Sequence, residues 1–119
     1  MTGNDIVNRA LGLLGYAENN GNLQLTQRIL QKSLPLVNMV YGDIARMCGI
    51  KKQRLDNLSE QFEISDKAAD VFACGVASYI ANSEGDDNAQ AFWAAEYQNR
   101  RPTLSRVTEY KDILPVPEY

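Results

Sequence analysis

The sequence contains no histidine. Histidine is the commonest general base near neutral pH and the commonest protein ligand for zinc, so its absence excludes Ser–His, Cys–His and His-ligated zinc sites within this chain. Cysteine is scarce as well, because only Cys48 and Cys74 are present. Two thiols without histidine do not complete a structural zinc site. Both lie in apolar stretches, which favours small buried hydrophobic residues over a disulfide.

Long apolar runs are also missing. No run of about 18 apolar residues exists, so no segment is predicted to span a membrane. The first residues, MTGNDIVNRALGLLG, lack the basic start and unbroken apolar stretch of a secretory signal. We therefore expect a cytosolic protein or a component of an assembly built there. The 119 residues, 45% of them apolar, fit one domain with its own core.

Neither the charge pattern nor the acidic motifs predict a catalytic or metal-binding site. The net charge is −3, and no half of the chain is strongly basic, which argues against general electrostatic binding to nucleic acid. The acidic cluster Glu84, Asp86 and Asp87 lacks the spacing of a calcium-binding loop and is more typical of a helix corner. Nothing singles out a catalytic pair among the carboxylates that could supply one: Asp66, Asp70, Glu84 and Glu96. We predict no enzymatic activity, no cofactor and no metal site.

Helical periodicity dominates the chain and predicts an all-α fold, a small bundle of about four principal helices with an extended C-terminal tail. We expect the helices at about 4–14, 24–47, 65–84 and 87–101. Pro35 lies inside the second and predicts a kink there, or alternatively a break into two helices. Residues 50–64 are less regular, and the alternation of Phe62 and Ile64 is typical of a short strand or an extended linker.

Capping residues support these boundaries. Thr2 or Asn4 is a suitable N-cap for the first helix, and Ser65 is one for the third. Asp86 or Asp87 is suited to open the fourth. Gly15, Gly49 and Gly85 are placed to end the first three helices.

The C-terminal segment is unusually apolar. Pro102 is predicted to end or kink the fourth helix, and Pro115 and Pro117 forbid a later one. We therefore predict a helical bundle domain at 1–106 and an extended tail at 107–119. A disordered tail would be polar, whereas this one is suited to pack on its own bundle or on a neighbouring subunit or partner. The candidate interface residues are Val107, Tyr110, Ile113, Leu114, Val116 and Tyr119.

Two basic clusters are candidates for contact with DNA. Lys51, Lys52 and Arg54 follow the second helix, and Arg100 and Arg101 lie near the end of the fourth. Each cluster is also what a solvated helix C-terminus carries. In a ring, symmetry would multiply either patch, which makes both candidate channel-lining or DNA-facing groups.

Three strings of the sequence resemble the small head–tail connector proteins of tailed double-stranded DNA phages, also called head-completion or adaptor proteins. They are IVNRALGLLGY, LPLVNMVYGDIAR and ISDKAADVFACGVASYIANSEGDDNAQAFWAAEYQNR. The similarity extends over roughly residues 4–106 and contains no catalytic signature.

The resemblance implies a structural subunit. Such proteins assemble as a ring, commonly of about twelve copies, below the portal protein and dock tail or head-completion proteins. DNA passes through the channel without sequence-specific binding. The expected location is the head–tail junction of the virion, after synthesis in the bacterial cytoplasm. We expect ring contacts on the third and fourth helices, with the tail reaching a neighbour.

A small helical DNA-binding or regulatory module of a mobile element is the alternative. It would need a recognition helix with polar and basic residues on its exposed face. The second helix offers such residues, although the net negative charge argues against this function: Gln24, Gln27, Arg28, Gln31 and Lys32.

Overall fold

The computed structural model of this chain describes residues 1–16 and 23–113. It contains helices α1 (Gly3–Leu14), α2 (Leu23–Cys48), α3 (Asp66–Ser83) and α4 (Asp87–Ile113). Within these ranges no strand is formed, and one isolated antiparallel bridge joins Thr2 to Gln61. The predicted all-α bundle of four principal helices is confirmed. None of the helices in the described ranges is both long and apolar enough to cross a bilayer.

The helix ends follow local capping chemistry. The Thr2 side chain accepts from the Asp5 amide while the Asp5 carboxylate accepts from the Thr2 amide, which makes a capping box. Ser65 accepts from the Ala68 amide at 3.1 Å and opens α3. Asp86 accepts from the Ala89 amide at 3.1 Å and opens α4. Gly15, at φ 77°, ends α1 in the left-handed conformation that glycine adopts without strain.

Helix α3 is the centre of the bundle and packs against α1, α2 and α4. Twelve of its 18 residues are buried. Gly75 allows the closest approach, because a Cβ atom there would lie 2.8 Å from Val40 Cγ1 on α2 and 3.0 Å from the Tyr97 ring on α4. The small residues of α3 therefore let helices pack tightly on several of its sides.

The connection between α2 and α3 has no helix of its own but is fixed to the core. Leu55 is fully buried, and Asn38 on α2 bonds both of its backbone groups, donating at 3.0 Å and accepting at 2.7 Å. The Phe62 ring packs against both Tyr41 and Phe72, with centroids 5.2 and 5.9 Å away. This segment is an extended linker, one of the two structures that the sequence allowed.

Helix α2 continues through Pro35, so the alternative of two separate helices is wrong. The proline removes one backbone N–H donor from the helix. Nearby, the Ser33 hydroxyl donates to the carbonyl of Ile29, four residues before it. Buried residues on both sides of Pro35, among them Ile29 and Val37, pack against the rest of the core. This packing offsets the local cost of the proline.

Helix α4 also continues through its proline, Pro102, and reaches Ile113. The predicted end of the helix and the predicted extended backbone at 107–113 are therefore wrong. Residues 103–113 contain neither glycine nor proline, and Leu104, which is 1% exposed, anchors this part of the helix to the core. The rest of the predicted tail, 114–119, lies outside the described residues.

Candidate functional site

A cluster of polar groups joins α2 to α4 around Asp43. Arg101 donates from both Nε and Nη2 to the Asp43 carboxylate, the second bond being 2.6 Å long. The Tyr97 hydroxyl donates to the same carboxylate at 2.6 Å. The hydrogen bonds from Arg101, aided by Tyr97, lower the pKa of Asp43 to about 2. Burial, followed by the bond to Asp43, raises the pKa of Tyr97.

The five basic candidates are distributed over separate contacts. Arg101 joins two helices through Asp43, and Arg100 pairs with Glu96 one turn earlier at 2.7 Å. Lys52 contacts Asp56 at 3.1 Å and Glu60 at 2.8 Å. Lys51 and Arg54 are exposed beside it. Three of the five thus pair with acids of their own chain, and a role in facing DNA stays a prediction for all of them.

The carboxylates considered for catalysis or cation binding do not converge. Asp70 pairs with Arg9 at 2.9 Å, joining α3 to α1, and Glu84 pairs with Arg28 at 2.7 Å, joining the α3–α4 corner to α2. In the part of the chain that the structure describes, no three acidic or thiol side chains lie close enough together to hold a metal ion.

From Asn88 to Pro102, the outward side of α4 is exposed and carries no charge. We call it the α4 face; its residues recur at steps of three, one or four and are Asn88, Ala91, Phe92, Ala95, Asn99 and Pro102. Every one of them is exposed. About 23% of the whole chain is charged, so about one charge is expected among six residues, and this side has none. The centres of protein interfaces are depleted of charge in the same way.

Phe92 is the most prominent residue of the α4 face. It is 57% exposed, and its ring packs edge-on against Trp93 with centroids 4.8 Å apart. Trp93 in turn packs against the core. Phe92 is therefore an aromatic side chain that is held in position and largely open to solvent, which is typical of an interface anchor.

The outward side of α2 has a different character. We call it the α2 face; its exposed residues are Arg28, Gln31, Lys32, Pro35, Met39 and Arg46. Its charged side chains are all basic, but Arg28 pairs with Glu84 at 2.7 Å and Arg46 pairs with Asp43, the only acid in α2, at 3.3 Å. Pro35 and Met39 form an uncharged centre, and Met39 is 58% exposed. Among the described residues, Met39 and Phe92 are the two most exposed large apolar side chains.

The elements predicted to make ring contacts, which are the third and fourth helices and the tail, differ in how much surface they expose. Helix α3 is enclosed by its neighbours and offers little free surface, whereas α4 offers the uncharged face. Three of the six predicted tail residues, Val107, Tyr110 and Ile113, lie on the helical backbone of α4, with their side chains outside the described residues. The other three, Leu114, Val116 and Tyr119, lie wholly outside them. The interface role of all six stays a prediction.

Sequence reasoning missed Asp43, Met39 and the exposure of Phe92. Asp43 had one signal, since it is the only acid among the 26 residues of α2. Its partner Arg101 is 58 residues away, which no local pattern indicates. The helical spacing of Phe92, Trp93 and Tyr97 by itself predicts one aromatic face, but Phe92 lies on the side of the helix that faces solvent.

No family model, no curated protein and no solved structure matches this chain.

Proposed function

We propose that this chain is a structural subunit of a phage head–tail connector, which assembles as a ring below the portal protein and docks tail or head-completion proteins. DNA passes through the ring without sequence-specific binding. The observation that carries the proposal is the uncharged, exposed α4 face with the ordered Phe92 ring. Such a surface is suited to burial against another protein chain.

A ring needs more than one contact surface. Head-to-tail contacts around a rotation axis use two different faces of each subunit. The chain offers two exposed helix sides with apolar centres, one around Phe92 and one around Pro35 and Met39. This supports an assembling subunit over a protein that works alone.

Native mass spectrometry across a concentration series tests the proposal. We expect a closed oligomer, of about twelve copies by the resemblance, to appear as concentration rises. The same sample should pass through a heparin column at low salt. A tight dimer that is retained on heparin and binds duplex DNA would contradict the connector and favour a regulatory module.

One observation favours that second candidate. Four polar residues of α2 are exposed together, as a recognition helix would require: Gln27, Arg28, Gln31 and Lys32. Arg28 is, however, already paired with Glu84. Heparin retention that is lost in the variant Lys32→Glu but kept in Lys67→Glu, a matched exposed lysine of α3, would support it.

A further inference from the structure

We draw no further inference here: the strongest candidate, the groove between α1, α3 and α4, is lined by Arg9 and Arg100, which already pair with acids of their own chain, and nothing in the described residues shows what covers it.

Discussion

Helices α3 and α4 pack against each other more extensively than any other pair, yet their uncharged stretches differ in exposure to solvent. Residues 71–83 of α3 carry no charge and are mostly buried. Residues 88–95 of α4 carry no charge either, but Phe92 and its neighbours on the α4 face are exposed. The first charge-free stretch is accounted for by the core of its own chain. The second is not, which is why we assign it to contact between chains.

Replacing one phenylalanine by alanine in each helix tests this difference with the largest expected effect. Phe72 is fully buried on α3, so Phe72→Ala should lower the free energy of unfolding by about 3–5 kcal/mol. Phe92→Ala should lower it by less than about 1 kcal/mol, because the ring is already mostly in water. Denaturant unfolding of both variants measures the difference. Equal losses would mean that Phe92 belongs to the core.

A pair of glycine substitutions sharpens the contrast between core and surface. Gly75→Val should lower the free energy of unfolding by about 1–3 kcal/mol, since the new side chain collides with Val40 and Tyr97. Gly12→Ala, on the exposed side of α1 with no atom within 4 Å of the new Cβ, should raise it by about 0.5–1 kcal/mol. Thermal unfolding checks both signs. A neutral Gly75→Val would contradict the close packing of α3.

The contact that holds α4 to α2 should depend on pH. The pKa of Asp43 is about 2 in the folded chain and near its ordinary value when unfolded. A lowered folded pKa stabilises the fold above the unfolded pKa, and this contribution is lost as pH falls towards 2. Asp43→Asn should therefore cost about 2 kcal/mol at pH 7 and progressively less between about pH 4 and pH 2. The same gap at every pH, in denaturant unfolding, would contradict this.

An ion pair at the surface should have the smallest effect. Arg9 and Asp70 join α1 to α3 at 2.9 Å, but their side chains are 39% and 63% exposed. Arg9→Met should change the free energy of unfolding by less than about 1 kcal/mol, since water and salt screen the pair. A loss as large as that of Asp43→Asn, in the same unfolding assay, would show that exposure does not distinguish the two ion pairs.

The local features of the fold were predictable because they depend on neighbouring residues. Thr2, Ser65 and Asp86 cap helices through atoms three positions away, and Gly15 ends α1 with its own backbone. The end of the fourth helix at Pro102 was misjudged for the opposite reason. A local rule disfavours a helix at Pro35 and at Pro102, but packing from distant residues offsets the loss of one backbone donor at each.

The candidate site was less predictable. The residue type alone does not distinguish an exposed phenylalanine from a buried one. Here Trp93 packs against the core, and Phe92 beside it is exposed to solvent. The alignment of α2 with α4 depends on contacts between residues that are 56 and 58 positions apart. Periodicity assigns residues to the sides of one helix, but it does not fix the register between two helices that are distant in the sequence.

Analytical ultracentrifugation of the wild type beside Phe92→Glu tests most directly whether the α4 face is an assembly surface. Leu13→Glu, at a 40% exposed site on α1, is the matched control. Up to about 1 mM, we expect the average mass of the wild type and of Leu13→Glu to rise above that of one chain, 13.3 kDa. Phe92→Glu should remain at the mass of one chain. Wild type and Phe92→Glu with the same mass at every concentration would contradict an assembly role for this face.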